Sequence, residues 1–357
     1  MLKEIMEQPA SILRAMNNGG RILNGECVKL GGLDSCLPEL LTVNHLILLG
    51  CGTSFHAGLW ALNLFKSLHL MATIYDGAEF NCDDIPTGGR TALILLSQSG
   101  ETKDLHRCIK IAKEMSVLTI GIVNVTDSLI ARETDCGIYL NAGRECAVAS
   151  TKSFTNQCIV LAMVAVWFSQ IRNTAIEKRR QIIADLRQVS GTMQTFLDNS
   201  LGVDEKLKSV VDRIAGQHSL FILGKGRTEA IAKEGALKIK EVAYIHAEGY
   251  SSSALKHGPF ALIVPHLPII ILDIHPEHRD KNNNVYYETT ARGADVIIIS
   301  TQEAYGEAGA DVFHIPYNGT FSDLLANVYL QLISYYLGLK HGDPDYPRNL
   351  AKVVTVE

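Results

Sequence analysis

The chain has 357 residues, 47% of them hydrophobic and 20% charged, a globular composition with room for two domains that each bury a core. A formal net charge of -5 without a long basic run excludes nucleic acid and membrane surfaces as expected partners. All eight cysteines lie between Cys27 and Cys158 and none forms a CxxC pair; with no signal peptide at Met1–Ala10, the expectation is a reduced, cytoplasmic protein. Met1 to Arg21 reads as mostly helical, with Pro9 interrupting it. His45–Leu49 is a strand that feeds Gly50-Cys51-Gly52-Thr53-Ser54 and a helix to about Leu70. Ala72–Tyr75, Thr91–Leu96, Val117–Val123 and Gly137–Leu140 are further strands, and Asp104–Met115 is a helix. Thr151–Phe168 closes the unit as a helix; its apolar run Cys158–Phe168 is too short to span a bilayer and reads as buried. Strands alternating with helices imply a parallel sheet covered on both faces.

Ile176–Leu197 is charged and helical, a connector. The pattern then restarts with the strand Ser219–Leu223, the turn Gly224-Lys225-Gly226-Arg227-Thr228 and a helix to about Glu241. Leu267–Leu272, Val296–Ser300 and Val312–Ile315 are strands, and Asp323–Leu339 is the closing helix. Leu46–Gly58 and Leu220–Ala232 share an opening, so the chain reads as an internal repeat of two α/β units. The expected divisions are a helical opening segment over 1–30, a first unit over 31–172, a connector over 173–205, a second unit over 206–340 and a tail over 341–357.

Only the first unit carries Ser97-Gln98-Ser99-Gly100-Glu101-Thr102, placed where a strand stops and a helix starts. Hydroxyls, an amide, a close-approach glycine and unpaired helix N–H groups suit an oxyanion. A serine-rich turn with Ser99 capping the helix is the alternative. Thr53 and Ser54 open at the same sheet end, which is where loops of a parallel α/β sheet line one crevice. Gly50-Cys51-Gly52 lacks the third glycine of a dinucleotide fingerprint, because Phe55 stands there, so no nicotinamide cofactor is expected. Twelve histidines form neither HxH nor HExxH, and no metal site is expected. The loop Glu145–Lys152 reads either as a helix cap by Ser150 or Thr151 or as a third wall of the crevice. Glu234, Lys238 and Glu241 share one helical face, a spacing equally at home in a surface ion pair. His257 sits in a loop bounded by Gly258 and Pro259. Lys352 lies among Leu350, Ala351, Val353 and Val354; a lysine stripped of water by apolar neighbours sheds its proton and becomes an amine nucleophile, whereas one on an exposed tail merely snorkels.

Taken together and in this order, Gly52-Thr53-Ser54, Ser97–Thr102, Val148–Lys152, Glu234–Glu241, Leu255–Pro259 and Pro347–Glu357 closely resemble the isomerase half of the glutamine–fructose-6-phosphate amidotransferase (isomerizing) family. The resemblance covers essentially the whole chain and implies two tandem sugar isomerase (SIS) domains and a C-terminal tail. It implies fructose 6-phosphate and ammonia as substrates and glucosamine 6-phosphate as product, with no cofactor. By the same resemblance Ser97, Gln98, Ser99 and Thr102 hold the phosphate with Ser54 nearby, and Thr53, Val148, Ser150 and Ala351 contact the sugar. Lys352 forms a Schiff base at C2, Glu241 moves a proton between C1 and C2, Lys238 assists, and His257 opens the sugar ring from the neighbouring subunit of a homodimer. The sequence departs from the family at Ser253-Ala254, where Gly-Glu is usual, and at Val353, where Ser is usual. The family's glutaminase half begins with a cysteine after the initiator methionine; Leu2 follows Met1 here, so the chain is expected to be a fragment of a longer enzyme. A deglycase or deaminase of aminated sugar phosphates and a non-catalytic sugar-phosphate sensor are the competing functions.

Overall fold

The computed structural model describes residues 1–200, 205–302 and 311–353. The expected closing run Val354–Glu357 and part of the connector therefore lie outside the described residues. The chain divides into two compact units. One contains Glu7–Glu145, Ser150–Ser190 and the tail from Ala351; the other contains Met1–Met6, Cys146–Ala149 and Gly191–Leu350.

Helix α1 (Leu2–Met6) opens the chain and α2 (Gln8–Ala15) follows. The helical opening breaks at Glu7, just before Pro9 as expected, and Pro9 sits in the first turn of α2, where its missing N–H costs nothing. In the first unit β1 (His45–Gly50), β2 (Ala72–Asp76), β3 (Thr91–Ser97), β4 (Leu118–Val123) and β5 (Cys136–Tyr139) form a five-stranded sheet in the order β2-β1-β3-β4-β5. Every pairing is parallel. All six residues of β1 are buried, as a strand covered on both faces must be. The helices are α3 (Leu37–Leu40), α4 (Thr53–Ser67), α5 (Lys103–Glu114), α6 (Leu129–Glu133), α7 (Lys152–Ile171) and α8 (Ile176–Ser200). In α5 the buried Leu105, Cys108, Ile109 and Ala112 recur at helical spacing and pack with Leu93, Leu95 and Phe80. Each such leucine or isoleucine taken fully out of water contributes roughly 1.5–3 kcal/mol. Helix α7 is buried on all sides from Lys152 to Ser169.

The second unit repeats this plan. After α9 (Glu205–Ala215) come β6 (Ser219–Gly224), α10 (Thr228–Ala243), β7 (His246–Ser251), β8 (Pro268–Asp273), α11 (Arg279–Thr290), β9 (Asp295–Ser300), β10 (Asp311–His314) and α12 (Ser322–His341). The sheet order is β10-β9-β8-β6-β7, again parallel, which is the first sheet's order read from the other edge. The expected internal repeat is thus a repeat of topology. Four strands are expected here from the sequence; β7 is the fifth, a polar edge strand whose Gly249 lets α10 come close. Gly235 does the same for α12, since a Cβ there would lie 2.5 Å from Leu330 Cδ1.

Candidate active site

In the first sheet the chain leaves β1 toward β2 on one side and returns as β3 on the other, so the crevice past the carboxyl ends of β1 and β3 is a topological switch point. Ser97 ends β3 there and is buried. Its Oγ accepts the Gly100 N–H (2.9 Å) and lies 2.9 Å from Thr102 Oγ1 and 3.5 Å from Ser99 Oγ. Ser99 Oγ accepts the Glu101 N–H at 3.1 Å. The loop is therefore a hydroxyl cluster built on itself. Gly100 stands at φ 70, and a Cβ there would collide with the Ser128 hydroxyl, so glycine is required. The alternative reading of Ser99 as a helix cap is overturned: the cap position of α5 is Thr102, without a side-chain capping bond, because its hydroxyl is turned to Ser97. Glu101 faces away, accepting the Leu129 N–H at 2.9 Å. Gln98 is half-buried beside these hydroxyls in the sequence.

Across the switch point, Gly52 (φ 54) precedes α4, whose first residues are Thr53 and Ser54, both half-buried. Gln157 of α7 donates to Ser54 Oγ at 2.8 Å, which occupies a lone pair and leaves the Ser54 proton to be donated elsewhere. Burial pushes the thiol of Cys51 in the same turn up to about 12, and Asp76 and Asp104 add to the shift.

Glu145 is the residue that sequence reasoning passed over. Its side chain is 0% exposed. Oε1 accepts the Thr151 N–H at 2.9 Å and the Ser153 N–H at 3.1 Å, so the carboxylate, and not Ser150 or Thr151 as expected, caps α7. Oε2 accepts the Ser150 hydroxyl at 3.1 Å and the Lys352 ammonium at 2.9 Å. Burial opposes the charge on Glu145, but the Lys352 ammonium and the Thr151 and Ser153 N–H donors outweigh it and hold its pKa below the ordinary carboxylate value. Of the apolar neighbours expected around Lys352, Leu350 is 47% exposed, Ala351 is exposed, Val353 is half-buried and Val354 lies outside the described residues; the amine itself is met by a carboxylate.

In the second unit Lys238 lies 2.6 Å from Glu241 Oε2 and 3.5 Å from Glu234 Oε1. This is no surface pair. Lys238 is 1% exposed, Glu234 0% and Glu241 20% by side chain, so only Glu241 keeps an open edge. Val148 is tied by its N–H to the Asp345 carbonyl at 3.1 Å, while Glu4 accepts the Cys146 N–H at 2.6 Å. His257 is exposed at the end of the short turn Leu255–His257, before Gly258 at φ 147. Tyr244 ends α10 in the left-handed region; its hydroxyl accepts the Arg348 N–H at 2.9 Å and its ring lies 4.1 Å under the Arg348 guanidinium. That stack holds Arg348 against the end of α10 within the same unit.

Two parallel α/β units of one topology, the first with a hydroxyl loop at its switch point, make this a tandem-repeat α/β protein with a crevice suited to an oxyanion. Residues 39–167 and 213–338 each match the SIS domain family, and the chain belongs to it. Within that family it matches a probable glutamine–fructose-6-phosphate aminotransferase [isomerizing] of Acanthamoeba polyphaga mimivirus, 43% identical over 99% of this chain and 57% of that protein. It also matches the solved C-terminal domain of glucosamine-fructose-6-phosphate aminotransferase from Francisella tularensis, with a TM-score of 0.88, 30% identity and 97% of both chains covered. A glucosamine-6-phosphate deaminase from Thermotoga maritima shares the fold at a TM-score of 0.75 and 23% identity, over 99% of this chain and 98% of that one. The chain spans a little over half the length of the mimiviral relative.

Proposed function

We propose that this chain converts fructose 6-phosphate and ammonia into glucosamine 6-phosphate. The observation that carries the reading is the Lys352 amine held 2.9 Å from a buried carboxylate in the same unit as the hydroxyl loop. Ser97, Gln98, Ser99 and Thr102, with Ser54, take the phosphate. Thr53, Val148, Ser150 and Ala351 contact the sugar. The Lys352 amine adds to C2 of the open-chain ketose and water leaves, giving an iminium that acidifies the C1 proton. Ammonia displaces the lysine from C2, so the nitrogen that stays on C2 is ammonia's. Glu241 takes the proton from C1 and returns it to C2, and C1 becomes the aldehyde. Lys238 keeps a positive charge against Glu241 while the proton moves.

The test is product analysis after incubation with fructose 6-phosphate. Glucosamine 6-phosphate should form with ammonium, and glucose 6-phosphate without it. Binding without either product would mark a sensor and overturn the reading; release of ammonia from glucosamine 6-phosphate as the only activity would mark a deaminase. The same reading makes the protein a cytoplasmic homodimer in which His257 opens the ring bound by a neighbouring copy. Inactive His257→Ala and Lys352→Ala proteins, mixed and allowed to exchange subunits, should then regain activity, and no recovery in proven heterodimers would remove the shared histidine.

A further inference from the structure

We propose that Glu145 is the proton shuttle for the Lys352 amine, taking the ammonium's proton before attack and delivering it to the departing oxygen. This inference rests on the reading of Lys352 as the imine-forming residue. The two oxygens of Glu145 have separate duties. Oε1 is pinned by the Thr151 and Ser153 N–H groups at the start of the 20-residue α7, so the carboxylate cannot swing. Oε2 faces Lys352 Nζ at 2.9 Å, within reach for direct proton transfer, with Ser150 Oγ as its other partner at 3.1 Å.

The environment favours transfer. An ammonium cannot attack a carbonyl, and Glu145 is the acceptor that the structure sets against it. The charge on Lys352 is a main reason that Glu145 stays ionised against its burial. Once the proton crosses, that reason is gone, and burial stabilises the neutral acid beside the neutral amine. Among the described residues, the neighbouring cations are engaged elsewhere: Lys152 Nζ of α7 pairs with Glu7 at 2.7 Å, and Arg14 of α2 donates to the Ala142 carbonyl at 3.0 Å. The balance closes. The ammonium gives two protons in turn through Glu145 to the C2 oxygen, which leaves as water. The nitrogen keeps one proton in the iminium, and Glu145 is again a carboxylate beside a cation.

The test is borohydride trapping of the iminium with fructose 6-phosphate, read as adduct mass on Lys352 across pH 6 to 9. With Glu145 as the acceptor, the wild-type trapping rate should be nearly flat across this range. Glu145→Gln keeps the shape and an acceptor oxygen for the helix N–H groups but cannot carry a proton. Its trapping at pH 7 should fall about 100-fold or more, and should climb about tenfold per pH unit as bulk solvent takes over deprotonation. Glu145→Asp should recover part of the rate and the flat profile, which a purely structural role would not restore. Wild-type rate and profile in Glu145→Gln would overturn the assignment. If that variant does not fold, a wild-type rate climbing tenfold per pH unit would overturn it equally. Absence of any adduct on Lys352 in the wild type would instead bring down the reading of Lys352 itself, and this inference with it.

Discussion

The Lys238 ammonium lies 2.6 Å from the Glu241 carboxylate, three residues further along α10, with both the lysine and its second partner Glu234 removed from water. A surface i,i+4 pair contributes a few tenths of a kcal/mol. A buried cation between two carboxylates is another matter, because removing it leaves like charges facing one another out of water. Lys238→Met should therefore destabilise the protein by roughly 3–5 kcal/mol in urea denaturation. Adding Glu234→Gln should return much of that loss. Additive losses in the double variant would show that the three groups do not act as one cluster.

Ser99 and Thr102 carry the phosphate assignment in the first unit. Each hydroxyl bond to a charged phosphate should be worth roughly 1.5–3 kcal/mol. Ser99→Ala with Thr102→Ala should thus weaken fructose 6-phosphate binding strongly in calorimetric titration, while unphosphorylated fructose binds weakly to either form. Ser97→Ala should do more than either single change, because Ser97 Oγ also holds the Gly100 N–H that shapes the loop. Unchanged affinity in the double variant would remove the phosphate from this loop.

Much of this was legible in the sequence because it is local. The buried strands β1, β3 and β8 are apolar runs, and α7 and α12 are long apolar helices, so the two sheets could be read directly. Strand β7 was not, since His246-Ala247-Glu248-Gly249 has neither an apolar run nor alternation, and it forms only by pairing with β6. Helix α11 begins Arg279-Asp280-Lys281-Asn282-Asn283-Asn284, in which Asp280 and the three asparagines are poor helix formers; its buried Asn282, Val285, Tyr286 and Thr289 keep helical spacing and are the available signal. The hydroxyl loop is one hexapeptide and stood out. Glu145 did not, because the residue that gives it meaning lies 207 positions away. The same distance hides the partner of Lys352: sequence shows a residue's chain neighbours, which are apolar here, and the carboxylate that meets the amine is elsewhere.

Cys51 sits in the turn after β1, beside Thr53 and Ser54. Burial and the neighbouring Asp76 and Asp104 push its thiol up to about 12, so it is a neutral, unreactive group at physiological pH. Iodoacetamide at pH 7.5 should label the exposed Cys82 and Cys146 first. From the thiolate fraction alone, Cys51 should lag a free cysteine by roughly three orders of magnitude. Peptide mass mapping over time checks this, and labelling of Cys51 as fast as Cys82 would mean that the turn is open and its thiol solvated.

The Glu145–Lys352 pair also ties stability to pH in a definite direction. Burial penalises the Glu145 charge, but the Lys352 ammonium and two helix N–H groups overcome that penalty, so its folded-state pKa lies below the unfolded one. Such a carboxylate stabilises the folded state fully above its unfolded pKa of ~4.3. The contribution is lost as pH falls through the folded value, because the unfolded chain takes up the proton first. Urea denaturation of the wild type and of Glu145→Gln should therefore give a stability difference that is constant from neutral pH down to about 5 and shrinks below about 4. The glutamine side chain cannot ionise, so it removes this term while keeping a polar group for the Thr151 and Ser153 N–H donors. A difference that grows on acidification would mean that Glu145 is protonated more readily in the folded protein, and that the ion pair with Lys352 does not hold its charge.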